Sequence, residues 1–175
     1  MIITDEKILR TKCTDAQPEE IGAIIEQLER ELNYSALQGQ RGIGLAAIQI
    51  NIPKNVAIVR VDNIYKTDLV NCKIQNAYDK QIFLDEGCLS FPGRMENTMR
   101  YNEIHIVDNL VPPYSFIATG LFAVVIQHEL NHLSGILLPD IALPKPKQRV
   151  RPNDLCYCGS KIKYKRCHQL QEKYK

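Results

Sequence analysis

In the segment 18–32 apolar residues recur at positions 21, 24, 25, 28 and 32, the spacing of one helix face. Pro18, Glu19 and Glu20 open it, where a fixed φ and negative charge suit a helix start. The rest of its surface is acidic, so the pattern predicts a scaffold helix without chemistry of its own. Glycines at 39, 42 and 44 then break the chain ahead of the apolar run 45–50. Residues 55–61 read as a buried strand and 68–71 as a shorter one, while 103–107 alternates as a half-exposed strand does. Residues 108–114, with Pro112 and Pro113, read as a turn. Residues 118–133 are apolar on nearly every side, which predicts a helix buried in mid-domain, with Gly135 as its stop. The class expected is α+β: short, mainly antiparallel strands around one buried helix.

With 175 residues, 45% of them hydrophobic and 24% charged, the chain has room for one core and a small appendage. No stretch approaches the roughly 20 apolar residues of a membrane span, and the first residues lack the order of a signal peptide. Membrane and secretory classes are therefore excluded, and the cytoplasm is the expected compartment. Net charge is only +2, but residues 145–175 hold ten lysines and arginines against two acids, leaving twelve against eighteen in the remainder. A mildly acidic body with a strongly basic tail is a two-module pattern. The boundary is the proline-containing stretch 143–152, which reads as an extended basic linker.

The predicted buried helix carries His128, Glu129 and His132. Residues four apart share a helix face, so both imidazoles can meet one cation, and Glu129 sits beside them to take a proton from water. Buried without partners these groups would cost several kcal/mol in desolvation, and a divalent cation supplies the partner. This is the signature of metal-assisted hydrolysis. Two donors do not hold a catalytic ion. The metalloprotease pattern that continues to a third histidine is followed only as far as Gly135, and Leu138 stands where that histidine belongs, which disfavours a peptidase acting on internal bonds. The third donor must come from Cys13, Cys72, Cys88, His105 or an acid. A Cys88 thiolate would give a soft set suited to Fe(II), Zn(II) or a similar ion.

Three blocks in order resemble the peptide deformylase family over about residues 2–141: Gly42-Ile-Gly-Leu-Ala-Ala-Ile-Gln49, Glu86-Gly-Cys-Leu-Ser90 and Gln127-His-Glu-Leu-Asn-His132. The resemblance implies that Cys88, His128 and His132 bind the ion, natively Fe(II), with zinc or nickel able to take its place. It implies that Glu129 is the general base and later the acid for the leaving amine. Gln49, through its side-chain amide, and Leu89, through its backbone N–H, would form the oxyanion hole. Gly44 would let the substrate backbone lie close, and Ile43, Leu84, Leu121, Val124 and Val125 would line the methionine pocket. The substrates implied are nascent peptides beginning with N-formylmethionine. The chain departs from the family pattern at Asn131, where aspartate is common, at Cys72, where proline is usual, and in lacking the C-terminal extension. Arg100 matches a family arginine near the site, with a structural or a substrate-orienting role. A catalytically silent deformylase-like adaptor is the competing reading, and the intact base and donors weigh against it.

In the tail, Cys156, Cys158, Cys167 and His168 supply four donors at a spacing that suits a closed, structural zinc site. Nearby lysines and Arg166 favour the thiolates, and zinc would supply the folding energy that so short a segment lacks. The segment resembles the zinc-binding tail of the SecA translocation motor, the SEC-C motif. The expected organisation is a catalytic body at 1–142, the linker at 143–152, a zinc-folded knob at 153–168 and a basic end at 169–175. Such a knob suits contact with the ribosome, RNA or an acidic protein surface.

Overall fold

The computed structural model describes residues 1–108, 114–144, 150–157 and 161–167. The chain divides into two units, Met1–Ile141 and Ala142–Lys175. Most of the predicted turn at 108–114, part of the linker, Cys158, His168 and the end at 169–175 lie outside the described residues.

Helix α1 (Glu6–Leu9) is started by Asp5, whose carboxylate accepts from the Lys7 N–H at 2.8 Å. Helix α2 (Pro18–Leu37) opens with Glu20 reaching back to the Gln17 N–H at 2.9 Å, a cap that satisfies a donor no helix carbonyl can reach. It runs past the apolar stripe that predicts it, since nothing in 33–37 breaks a helix before Gly39.

Strand β1 (Gly44–Ala46) passes into a 3-10 turn (Ala47–Ile50), and β2 (Val56–Arg60) and β3 (Lys66–Val70) complete an antiparallel sheet in the order β1-β2-β3. In β2 both faces are covered. Val56 and Ile58 pack with Leu28 and Leu32 of α2, whereas Ala57 and Val59 belong to a second cluster with Val125 and Ile126. That is why this strand reads as an unbroken apolar run and not as an alternation.

A second antiparallel sheet has the order β4-β5-β6, from β4 (Lys73–Gly87), β5 (Met95–Val107) and β6 (Ser115–Thr119). The sequence pattern misses β4, because residues 73–81 face solvent almost throughout and show no apolar period. Strand β5 reaches much further back than the predicted 103–107, and β6 takes Ala118 and Thr119 from the segment read as helix. Opposite β5 the register of β4 slips by one residue twice, between Ile74 and Asn76 and again between Phe83 and Glu86, where Phe83 pairs with Thr98 and Glu86 with Glu96. Phe83 and Glu86, three apart, therefore both oppose buried residues.

Helix α3 (Gly120–Leu133) packs against β1, β2, β5 and β6, which buries Ala123 to Glu129 together with His132 and Leu133. It ends as the pattern predicts, at Gly135 with φ +73°. The Gly135 N–H donates to the His132 carbonyl at 3.0 Å and the Ile136 N–H to the Asn131 carbonyl at 2.9 Å, which occupies two of the last free carbonyls. Helix α4 (Leu138–Ile141) follows, and Asp140 in it holds Arg10 through two bonds of 2.8 and 2.9 Å.

Within the second unit, Leu155 bridges Lys163 in antiparallel fashion, and the Cys156 N–H donates to the Ile162 carbonyl at 2.8 Å. A single 3-10 turn (Tyr164–Arg166) closes the described part. No helix among the described residues is long and apolar enough to cross a membrane.

Candidate metal centre

Three elements meet at one point. Cys88 follows the end of β4, His128 and His132 lie one turn apart on α3, and Gln49 sits on the 3-10 turn after β1. The Cys88 Sγ and one ring nitrogen from each histidine lie within 4.8 Å of one another, and His132 Nε2 is 3.2 Å from the sulfur. The other candidates for the third donor are elsewhere. Cys13 is packed in the apolar core, the Cys72 thiol donates to the Val70 carbonyl at 3.4 Å, His105 meets Glu103 at 3.1 Å, and Asp140 holds Arg10. Among the described residues this is the single group of three or more metal-ligating side chains.

The histidines are held from behind. Glu86 is buried and accepts from Thr98 Oγ1 at 2.6 Å, from Arg100 Nε at 2.9 Å and Nη2 at 2.5 Å, and from His128 Nδ1 at 2.6 Å. Burial alone would raise its pKa, but the bonds from Arg100 and His128 prevail and hold it at about 2. An ionised carboxylate only accepts, so His128 Nδ1 must carry the proton, which leaves Nε2 to face the ion. Burial pulls the His128 pKa down, yet bonding to Cys88 and Glu86 and the charge of Glu129 outweigh it and lift it to about 10. Burial pushes His132 the other way, down to about 3, in the neutral form a ligand needs.

Glu129 is buried and its Oε2 has no hydrogen-bond partner among the described residues. Burial raises its pKa to about 7, near the optimum for a group that must both take and return a proton. Gln49 is fixed at both ends: its Oε1 accepts from the Ala46 N–H at 2.8 Å and its Nε2 donates to Ser90 Oγ at 3.1 Å. The same Nε2 is 3.8 Å from the Cys88 sulfur.

These groups open into a cleft of about 550 Å³, bordered by Gln49, Cys88, Leu89, His128 and Glu129 and, among the predicted pocket residues, by Ile43, Gly44, Leu121, Val124 and Val125. Leu84 is the exception. Its neighbours Phe83 and Asp85 border the cleft and it does not, at the point where the β4 register slips between Phe83 and Glu86. In the tail, Cys156 is buried and Cys167 half-buried, while Cys158 and His168 lie outside the described residues.

Sequence reasoning missed the support around His128. Arg100 is structural in this fold: it clamps Glu86 and donates through Nη1 to Asn131 Oδ1 at 2.6 Å. Asn131 keeps an acceptor at that position without a charge. Gln127 is a second unread support, its amide exchanging bonds of 3.0 and 2.7 Å with the Tyr101 backbone, which ties α3 to β5. The signal was available in β5, where Glu96, Thr98, Arg100, Ile104 and Ile106 share parity and are all buried.

A family model described as polypeptide deformylase matches residues 1–148. The chain belongs to the polypeptide deformylase family. Peptide deformylase from Stutzerimonas stutzeri is 38% identical over 131 residues, covering 73% of this chain and 77% of that protein. Peptide deformylase 1 from Pseudomonas syringae pv. tomato is 36% identical over the same coverage. The crystal structure of a probable peptide deformylase from synechococcus phage S-SSM7 superposes with a TM-score of 0.69 at 31% identity, covering 81% of this chain and 98% of that one. As a deformylase the chain is a metal-dependent hydrolase that removes formyl groups from polypeptides. A SEC-C motif matches residues 153–170.

Proposed function

We propose that the chain removes the formyl group from the N-terminal formylmethionine of nascent polypeptides, with Cys88, His128 and His132 holding a divalent cation. The observation that carries this is the convergence of three donor atoms within 4.8 Å beside the unpartnered oxygen of buried Glu129. One thiolate and two imidazoles suit Fe(II), zinc or nickel, and the family resemblance favours Fe(II). When bound, the ion supplies Lewis acidity, lowering the pKa of water and polarising the formyl carbonyl.

The side chains do the remaining work. Glu129 takes a proton from the attacking water as its oxygen bonds to the formyl carbon. The Gln49 side-chain N–H and the Leu89 backbone N–H donate to the oxygen that becomes an oxyanion, each worth about 2.7–4 kcal/mol when fixed in advance. Gln49 qualifies because its other end is already anchored on Ala46. Glu129 then returns the proton to the nitrogen as the C–N bond breaks, releasing formate and a free amine. Ile43, Leu121, Val124 and Val125 provide an apolar wall for the methionine side chain. A formyl carbon carries only hydrogen, so a close-fitting site accepts it and excludes an acetyl group.

The test is turnover of formyl-Met-Ala-Ser by the metal-loaded chain beside Glu129→Ala. We expect turnover in the first and a loss of about 10²–10⁴-fold in the second. Absence of turnover in a chain with its metal bound would reject the proposal and leave the silent-adaptor reading. Equal rates on formyl- and acetyl-methionyl peptides would reject the steric selectivity.

The proposal extends to the appendage. The body ends at about 142, a linker covers 143–152, and Cys156, Cys158, Cys167 and His168 bind one structural zinc ion in the motif at 153–168, ahead of a basic end at 169–175. Two metal ions per chain are expected by elemental analysis. The knob holds the enzyme near the ribosome in the cytoplasm, which raises the local concentration of nascent chains. Co-sedimentation with ribosomes should fall when the chain stops at 144, and equal pelleting would remove the tether.

A further inference from the structure

In the body the guanidinium groups of Arg10, Arg30, Arg60, Arg94 and Arg100 each meet a carboxylate. In the described part of the second unit, Arg151, Lys161, Lys163, Lys165 and Arg166 are all exposed. The one acid described there, Asp154, turns its carboxylate to the Arg151 backbone N–H at 2.8 Å. The five cations are brought together by backbone pairing: the Tyr164 N–H donates to the Asp154 carbonyl and the Lys165 N–H to the Pro152 carbonyl, at 2.8 and 2.9 Å. This sets the segment 161–166 beside the segment 151–156. Tyr157 and Tyr164 pack with ring centroids 6.1 Å apart between the same two segments.

We propose that these paired segments are an RNA-binding surface in which Arg151, Lys161, Lys163, Lys165 and Arg166 contact the phosphate backbone without reading sequence. The inference rests on the tether reading above and names what the tether grips. A protein partner is the weaker choice on composition. Protein interfaces need about 800 Å² per side around an apolar core and are depleted in lysine. Here lysines dominate, and among the described residues the exposed large apolar side chains are Leu155 and Ile162. Nucleic-acid modules are smaller, from about 600 Å², and strongly positive, and their affinity comes from lysine and arginine on phosphates.

Five phosphate contacts on a single strand set a slope of log affinity against log salt of about −3.5, so binding should weaken roughly 100-fold between 50 and 200 mM KCl. The experiment is fluorescence anisotropy of a labelled poly(U) 20-mer with the full, metal-loaded chain, compared with Lys161→Gln/Lys163→Gln/Lys165→Gln. These side chains are exposed, so the variant is expected to fold. Removing three contacts should reduce the slope to about −1.4 and lower affinity at 100 mM roughly 100-fold. Unchanged binding in the variant, or binding indifferent to salt, would overturn the proposal. Competition by polyglutamate as strong as by unlabelled poly(U) would also overturn it and assign the surface to an acidic protein. Deformylation of formyl-Met-Ala-Ser is followed in parallel and should be unaffected. A failure of RNA binding thus leaves the deformylase reading intact, and a failure of turnover leaves the RNA surface intact.

Discussion

Replacing Gly44 by alanine separates two roles for that glycine. The sequence resemblance assigns it to substrate, whose backbone would pass close by. The structure adds a nearer neighbour: a Cβ at 44 would lie 2.4 Å from Glu129 Oε1, 3.0 Å from Glu129 Cδ and 2.9 Å from Val125 Cγ1. The Gly44 φ lies outside the range that disfavours side chains, so space alone decides. Val125 is β-branched and helical, hence confined to one rotamer, and it cannot turn aside. Glu129 must therefore move, and a reacting group misplaced by about 1 Å costs on the order of 100-fold in rate. Overpacking should add a destabilisation of about 1–3 kcal/mol. The three metal donors are untouched, so metal content should be retained. We expect Gly44→Ala to lose about 100-fold in kcat on formyl-Met-Ala-Ser with little change in KM, and to melt a few degrees lower. Gly42→Ala is the control, because its Cβ would meet the Leu89 Cδ1 methyl at 2.4 Å, the loose end of a side chain whose proposed role lies in its backbone. A Gly44→Ala enzyme with normal kcat and a raised KM would refute the reasoning, since that is the signature of blocked substrate approach.

Glu86→Gln should lower metal affinity about 10–100-fold, read as faster loss to a chelator, because His128 loses its ionic partner; retention equal to the parent chain would contradict the role. The folded chain holds the Glu86 carboxyl at about 2 against an ordinary 4.5, so it binds fewer protons there than the unfolded chain. The stability this confers is complete above pH 4.5 and lost as pH falls towards 2, so the melting temperature of the parent chain should decline more steeply across that window than that of Glu86→Gln. Burial pushes the Cys13 and Cys72 thiols up to about 11, so at pH 8 roughly one in a thousand is ionised and iodoacetamide should label neither readily in the native chain; fast labelling of either would contradict their placement. Gly135→Ala should destabilise by about 1–3 kcal/mol with unchanged activity per folded molecule, since φ is +73° and the Cβ would lie 2.5 Å from the Arg10 carbonyl oxygen.

What could be read from the chain follows from the range of the interactions. His128, Glu129 and His132 were legible because helix geometry alone brings positions four apart together. Cys88 remained one of several donors on residue chemistry, since its approach depends on how β4 ends against α3. That Leu84 does not border the cleft was hidden for a related reason. Strand β4 carries no visible period, and the extra residue between Phe83 and Glu86 shifts which side chains face inward. The Glu86–Arg100 clamp joins residues fourteen apart across a hairpin, so it depends on register, and a slip of one residue would turn Arg100 to the other face. Alternation in 103–107 was clear, but extending its parity back to Arg100 requires knowing that the strand continues.

The charges around α3 explain why a polar cluster survives in an apolar interior. Glu86 is needed to orient His128, yet a second unbalanced carboxylate beside Glu129 would repel it. Arg100 removes that conflict by neutralising Glu86 through Nε and Nη2, and its remaining reach ends on Asn131, an acceptor that adds no charge. The support is therefore neutral as a unit. What is left bordering the cleft is the sulfur of Cys88, the His128 imidazole and the Glu129 carboxylate, one oxygen of which has no partner among the described residues, while burial drives the nearby His132 neutral. That leaves the buried Glu129 oxygen without a partner among the described residues, beside three atoms able to ligate a cation. A divalent cation held at Cys88, His128 and His132, as proposed, would supply that partner and draw the Glu129 pKa below the value set by burial, leaving the carboxylate ready to accept a proton at neutral pH.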